Sequence, residues 1–326
     1  MNPNQSKDIK VPLLIVSPAP HIRDKSSTTR IMLDVIIALI PSFAAAVWIF
    51  GIRAALVTGV CIASCVLFEY CFEKLLKRKN TVGDLSAVLT GMLLAFNLPV
   101  TIPLWQAIVG CFIAIILVKQ LFGGIGKNFA NPAVTARIVL FIAFPKTMAM
   151  GKWIVPFDWK TSLDTVTSAT PLALLFKGDI ESLPNTWNLF WGNHGGCLGE
   201  TSELALLIGL IYLLLRRVIT PIIPLFFIGT VFILTSIFGG FDFGVYHILS
   251  GGLFLGAIFC ATDYVTSPIT NWGRLIFGIG CGLLTVLIRL YGSYPEGVSF
   301  AILIMNILVP YINKFTLKKT LGGIKS

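Results

Sequence analysis

Residues 31–50 read IMLDVIIALIPSFAAAVWIF, an apolar run in which Asp34 is the only charged side chain. A helix of about 20 mostly apolar residues is long enough to cross the hydrocarbon core of a bilayer. This stretch therefore predicts a transmembrane helix near the start of the chain. It follows a polar segment and is too long for the apolar region of a cleavable signal peptide, so we expect the protein to retain it.

The composition of the whole chain is that of a membrane protein. Of its 326 residues, 56% are hydrophobic and 12% are charged, whereas soluble domains carry about 25% charged residues. These values exclude a soluble enzyme, a nucleic-acid-binding protein and a disordered protein. They predict an all-α polytopic protein that lies in the lipid bilayer. We attribute the net charge of +10 to basic cytoplasmic loops rather than to a nucleic-acid partner.

Apolar runs of similar length recur along the chain and predict about ten transmembrane helices. The fifth run is the weakest, because Arg137 and Lys146 leave only a short uncharged core between them. The ten segments are 31–50, 54–72, 85–101, 104–121, 132–148, 204–220, 221–240, 246–262, 275–291 and 298–313.

The distribution of Lys and Arg predicts the orientation. If the N-terminus is cytoplasmic, 19 of the 25 basic residues fall inside, five fall outside and one, Arg289, lies within a span. Because basic residues concentrate in cytoplasmic loops, we expect both termini inside and the long loop 149–203 on the extracytoplasmic side. The predicted regions are a cytoplasmic segment 1–30, a first five-helix half 31–148, the loop 149–203, a second five-helix half 204–313 and a cytoplasmic tail 314–326.

The two halves show a weak internal similarity at a shift of 169 residues. Pro99 then aligns with Pro268, and Phe122 with Tyr291. Because five spans are an odd number, the second half would be inverted relative to the first, as in many transporters. Irregular backbone between the halves is tolerated at membrane depth only where it is buried in protein or lines a cavity.

Ionisable residues at membrane depth, within or next to the predicted spans, are candidates for an ion path. The three that we single out are Asp34, Glu69 and Asp263; His247, Arg289 and Glu296 are further ionisable residues at membrane depth. For each, an equally good interpretation is a structural ion pair or a position at the membrane interface. We expect Lys74 to lie near Glu69, and Asp263 or Glu296 to neutralise Arg289.

The long loop contains a run of hydroxyl side chains, DTVTSAT, at residues 164–170, followed by Pro171. The residue before a proline favours an extended backbone, and such runs are typical of turns and helix N-caps. An accessible hydroxyl in this run could also accept a covalent group. The residues by themselves favour the simple polar turn.

The same run resembles the flavinylation motif of a family of membrane flavoproteins. This family comprises the D-type subunit of the Rnf ion-translocating ferredoxin:NAD+ oxidoreductase and the B-type subunit of the sodium-pumping NADH:quinone reductase. The short N-terminal leader suits the Rnf protein better, and Ser168 stands where many relatives have glycine. The resemblance covers about residues 11–315. Its other similar stretches are 17–21 (SPAPH), 122–124 (FGG), 131–133 (NPA), 294–297 (YPEG) and 301–303 (AIL).

The resemblance implies an FMN joined through its phosphate to the hydroxyl of Thr170, attached by a separate flavin transferase on the outer face. It implies a plasma-membrane electron-transport subunit that acts with other subunits, carries electrons between ferredoxin and NAD+, and couples them to Na+ or H+ transport. A second, non-covalent riboflavin is also implied. We expect no metal site here, because the seven cysteines contain no C-x-x-C pair, so iron–sulfur clusters would lie on partners.

Two other interpretations of the sequence stay open. One is a passive transporter or channel built on the same inverted five-helix repeat, which would bind no flavin. The other is a membrane anchor without a cofactor. The tryptophans of the loop are either anchors at the membrane interface or stacking partners for a flavin ring; they are Trp153, Trp159, Trp187 and Trp191.

Overall fold

The computed structural model describes residues 27–78, 80–148, 153, 170–179, 182–292 and 294–317. Throughout these ranges the regular structure is helical, apart from isolated bridges. The helices of the first half are α1 Thr28–Phe50, α2 Ile52–Leu75, α3 Ser86–Phe96, α4 Leu104–Gln120, α5 Pro132–Ala143 and α6 Pro145–Met148. The remaining helices are α7 Pro171–Lys177, α8 Thr186–Trp191, α9 Glu203–Leu215, α10 Ile222–Gly239, α11 Phe241–Ile248, α12 Leu253–Cys260, α13 Asn271–Tyr291 and α14 Val298–Thr316.

The polytopic all-helical class predicted from the sequence is confirmed. In the described ranges, five helices are long and apolar enough to cross a membrane, namely α1, α2, α10, α13 and α14. The pair α11 and α12 forms one further apolar segment that is bent by 65°. Four shorter apolar helices, α3, α4, α5 and α9, complete a set that coincides with the ten predicted segments. The number of complete crossings and the inverted repeat stay predictions.

Helices α1, α2 and α9 present apolar side chains outward. Trp48, Ile52 and Leu215 are 66%, 83% and 78% exposed. A helix that is apolar on all sides belongs in a protein core or in lipid, so these outward side chains are suited to the acyl chains of a bilayer. Between α1 and α2 the chain reverses at Gly51, whose φ of 76° is a conformation that glycine adopts readily.

The short helix α3 is the most buried of the apolar helices. Helix α3 has 11 residues, so it is about 16 Å long and cannot cross a hydrocarbon core of about 30 Å by itself. It ends at Asn97, and the irregular stretch that follows contains Pro99 and Pro103. Residues 90–100 are all buried. The irregular backbone of residues 97–100 is therefore packed within protein, which is where such backbone is tolerated at membrane depth.

A second buried irregular segment, residues 194–202, packs against the end of α3. The N–H of Leu198 donates to the carbonyl of Leu98 at 3.1 Å, and the N–H of Gly199 donates to that of Phe96 at 2.8 Å. A Cβ at Gly199 would lie 2.5 Å from the Cβ of Phe96, so a larger residue would push the segments apart. The pairing satisfies backbone groups that have no helical partner, as backbone at membrane depth requires.

Arg137 of α5 joins these segments to α14. Its Nη1 donates to Asn97 Oδ1 and to Ser299 Oγ, each at 3.1 Å. Its Nη2 donates to Glu200 Oε1 at 2.9 Å and also to Glu296 Oε2. The guanidinium is 4% exposed. Its hydrogen bonds to residues from both halves of the chain replace the hydrogen bonds to water that it loses on burial. We call Arg137, Glu200 and Glu296 the Arg137 cluster.

Replacing Arg137 with methionine should strongly destabilise the fold, because it leaves two carboxylates without their cation. Removal of one partner of a buried ion pair costs roughly 3–5 kcal/mol. The measurement is thermal unfolding of the purified protein in detergent, with the exposed Arg30 changed to methionine as the matched control. Equal melting temperatures for the two variants would show that the Arg137 cluster does not hold the halves together.

Candidate functional site

Thr170 is the one residue of the 164–170 run that lies inside the described ranges. It is the N-cap of α7, where its Oγ1 accepts a hydrogen bond from the N–H of Ala173 at 3.2 Å. Pro171 occupies the first helical position, which suits the fixed φ of proline. Thr170 is half-buried, and its hydroxyl oxygen is held in one place by the cap.

Helix α7 forms one wall of a cavity of about 450 Å³. The other walls come from α11, from the C-terminal end of α13 and from the turn that leads to α14. Binding pockets for small molecules and cofactors measure roughly 300–1,000 Å³. The cavity therefore has room for a flavin-sized group next to the helix that Thr170 begins. We call it the α7 cavity.

Buried polar atoms without a partner line the α7 cavity. Both ring nitrogens of His247 and the Nε of Arg289 have no hydrogen-bond partner among the described residues, and each residue is 3% exposed. Leaving such a group unpaired costs about 1–3 kcal/mol. Apolar walls with a few convergent polar groups are the usual lining of a ligand site, so the lining is chemically suited to a flavin.

The aromatic side chains at the α7 cavity are Phe176 and Phe243 rather than tryptophans. Trp187 and Trp191 are exposed, and their ring centroids lie 6.0 Å from each other. Trp153 is buried, and Trp159 lies outside the described residues. The structure therefore does not bring Trp187, Trp191 or Trp153 to the lining, and their use as membrane anchors stays a prediction.

Glu69, one of the three ion-path candidates, lies in a buried polar group. Its two carboxylate oxygens accept hydrogen bonds from Lys119 Nζ at 2.8 and 2.9 Å, and Gln120 Nε2 also donates to it at 2.8 Å. Our expectation that Lys74 would be its neighbour is wrong, since Lys74 lies over the ring of Tyr70. The basic partner comes instead from α4, about 50 residues later.

Asp34 and Asp263 have different surroundings. Asp34 on α1 accepts hydrogen bonds from Tyr212 at 3.0 Å and from Arg216 at 3.3 Å, both near the end of α9. Asp263 follows α12 and accepts from the hydroxyl of Thr266 at 3.1 Å. Each of these carboxylates thus already has a structural partner.

A smaller cavity of about 90 Å³ lies where α1, α3 and α9 meet the loop before α13. Lys119 and Asp263 both line it, together with Asn128 and Asn131. Lys119 also forms the ion pair with Glu69. Two of the three ion-path candidates, Glu69 and Asp263, therefore lie next to this cavity or in its wall. It lies before the start of α13, whereas the α7 cavity lies at the end of that helix.

Sequence reasoning missed the ion pairs that bind the segments together. It counted Lys119 and Arg137 as loop charges on the cytoplasmic side, yet they are 2% and 3% exposed. It also named Glu296 or Asp263 as possible counter-charges of Arg289. Neither makes an ion pair with Arg289 among the described residues, although Glu296 lies close enough to act on its charge. Glu296 binds Arg137, while Arg289 donates to the backbone carbonyls of His247 and Ser250. The sequence does contain one indication of the Arg137 ion pairs. Arg137 interrupts an apolar run five residues after Pro132, the residue that follows the N-cap Asn131.

Comparison with known proteins supports the resemblance seen in the sequence. Residues 15–322 match the model of the NQR2, RnfD, RnfE family. The chain is 48% identical over 314 residues to the D-type subunit of the Na(+)-translocating ferredoxin:NAD(+) oxidoreductase complex of Acetobacterium woodii, covering 96% of each chain.

Two further relatives have similar names. The chain is 41% identical to the D-type subunit of the proton-translocating ferredoxin:NAD(+) oxidoreductase complex of Clostridium ljungdahlii, covering 94% of this chain and 96% of that one. It is 40% identical to the D-type subunit of the ion-translocating oxidoreductase complex of Stutzerimonas stutzeri, covering 91% and 93%. With a family model and relatives that match nearly the whole length, the chain belongs to the NQR2, RnfD, RnfE family.

Proposed function

We propose that the protein is the D-type membrane subunit of an ion-translocating ferredoxin:NAD+ oxidoreductase complex, and that it carries electrons through an FMN esterified to Thr170. The names and coverage of its relatives support the complex. The observation that carries the flavin part is the position of Thr170 at the start of α7, the helix that lines a flavin-sized cavity. The partners are the other subunits, which hold any iron–sulfur clusters, and a flavin transferase for maturation.

The bound FMN would supply one- and two-electron chemistry, while the protein supplies its position and electrostatic surroundings. A phosphoester to Thr170 fixes one end of the cofactor and leaves the ring free to contact the protein. Such a tether also keeps the ring at a high effective concentration near its pocket. Helix α7 directs the tethered group along one wall of the cavity.

A second flavin, a non-covalent riboflavin, is part of the proposal without an assigned place. The smaller cavity has amide groups from Asn128 and Asn131 and largely apolar walls. Its volume of about 90 Å³ is below the usual range for cofactor pockets. A flavin there would require neighbouring side chains to move outward.

The same proposal specifies the membrane topology of the subunit and the cation whose transport is coupled to electron transfer. The subunit would lie in the plasma membrane of a bacterium or archaeon, with both termini cytoplasmic and Thr170 on the outer side. The relatives include one named for Na+ and one named for protons, so we propose coupling to one of these two cations. A passive transporter or channel remains the alternative, and it would contain no bound flavin.

The Thr170→Ala variant should lose its covalent flavin completely, because alanine has no hydroxyl to esterify. The protein is produced together with a flavin transferase, separated on a denaturing gel and viewed under ultraviolet light, with intact mass as a second measurement. Thr186→Ala, which removes a half-buried hydroxyl from the same loop, is the matched control and should stay fluorescent. A dark wild-type band of unmodified mass would favour the transporter.

Neutralising the ion-path candidates should impair ion transport without removing the flavin. We expect Asp34→Asn, Glu69→Gln and Asp263→Asn each to slow redox-driven ion uptake into vesicles by about tenfold, equivalent to ~1.4 kcal/mol in the barrier. The reason is that each change removes a carboxylate that could hold a cation at membrane depth. Asp242→Asn, at an exposed position, is the control. Normal transport by all three variants would exclude these residues from the path.

A further inference from the structure

The break between α11 and α12 shapes one side of the α7 cavity. Here the chain bends by 65° and turns at Gly251, whose φ is 72°. A Cβ at Gly251 would lie 3.0 Å from Leu172 Cδ2 and 3.1 Å from Arg289 Nη2. The absence of that Cβ lets α7 and Arg289 approach the bend from two sides. Leu172 is the second residue after Thr170.

Arg289 is held at this bend by neutral groups. Its Nη1 donates to the carbonyl of His247 at 2.5 Å, and its Nη2 donates to the carbonyl of Ser250 at 2.9 Å. These bonds fix the guanidinium but do not neutralise its charge. The two carboxylates near it, Glu200 and Glu296, both bind Arg137, and their field also reaches Arg289. Arg289 therefore lies in the cavity wall without an ion pair of its own among the described residues.

His247 adds a donor and an acceptor next to this charge. Both ring nitrogens are buried and unpaired among the described residues, and the ring lies 4.4 Å from that of Phe243. A neutral imidazole donates from one nitrogen and accepts at the other. The cavity wall thus offers a cation, one donor and one acceptor, beside an aromatic edge.

Resting on the proposed covalent FMN, we propose that the α7 cavity holds the isoalloxazine ring of that flavin, with Arg289 and His247 against the pyrimidine edge of the ring. This edge carries two carbonyl oxygens and an N–H, which complement the donor and acceptor of His247. Negative charge gathers at the same edge when the ring is reduced, and a fixed cation in a low-dielectric site stabilises such charge. Arg289 is accordingly a binding residue that raises the reduction potential of the flavin.

The tether has the right position for this arrangement. Helix α7 has seven residues and is therefore about 10 Å long. Four of its residues line the cavity, namely Leu172, Leu175, Phe176 and Lys177. A group attached at Thr170 therefore starts at one end of the wall and can extend along it. Lys177, at the other end of the wall, adds a second positive charge at the cavity.

The first test measures the midpoint potential of the covalent flavin in the purified, flavinylated protein. We expect Arg289→Gln to shift the potential to more negative values, because the reduced ring loses a stabilising cation. Arg289→Lys, which keeps the charge, should shift it less. The control is Arg274→Gln, at the opposite end of the same helix α13, and it should leave the potential unchanged. Flavin content is checked by mass in every sample.

A second test does not depend on the bonds of Arg289. Leu175 is buried and lines the cavity, so Leu175→Trp should fill the space and push the ring outward. Iodide should then quench the flavin fluorescence more strongly than in the wild type. Leu215→Trp, at a position that faces outward, is the matched control and should behave as the wild type does.

The outcomes separate this inference from the proposed function. An unshifted potential in flavinylated Arg289→Gln would overturn the ring site and leave the covalent flavin standing. If that variant does not fold, unchanged iodide quenching in Leu175→Trp overturns the ring site in the same way. A wild-type protein with no attached flavin would overturn both proposals. A negative shift specific to Arg289, or increased quenching specific to Leu175→Trp, supports the ring site.

Discussion

The structure depends on one buried guanidinium that binds partners from both halves of the chain. Arg137 contacts the end of α3, the segment before α9 and the start of α14. Such an arrangement tolerates irregular backbone at membrane depth, because each broken segment is covered by protein and hydrogen-bonded. The same ion pairs occupy Glu200 and Glu296, so the second buried arginine, Arg289, makes its bonds with backbone carbonyls instead.

Two cavities lie at opposite ends of α13, and they differ in the chemistry of their walls. The α7 cavity has Arg289, Lys177 and an unpaired His247, which suits an electron carrier that gains negative charge on reduction. The smaller cavity is lined by Lys119 and Asp263 and adjoins the Glu69 ion pair. The proposed flavin site and the buried carboxylates therefore lie in separate places in the fold, as the proposed function requires.

The bent segment formed by α11 and α12 shows how a backbone break is used at membrane depth. The carbonyls freed at the break are those that bind Arg289, so the lost helical hydrogen bonds are replaced by charged donors. Gly251 permits the turn and leaves space for Leu172 of α7. The element that interrupts the span is therefore the same element that builds the wall of the proposed flavin site.

The sequence by itself determined the membrane class and the ten apolar segments, because hydropathy is a local property. Thr170 was singled out by the resemblance of a short motif to a known family, and its flavin stays a proposal. The sequence did not determine the ion pairs. Lys119 and Glu69 are about 50 residues apart, and Arg137 and Glu296 are about 160 apart. Only packing brings such residues together, and it decided that two apparent loop cations are buried. The cavity beside Thr170 likewise exists only in the tertiary structure, since its walls come from helices distant along the chain.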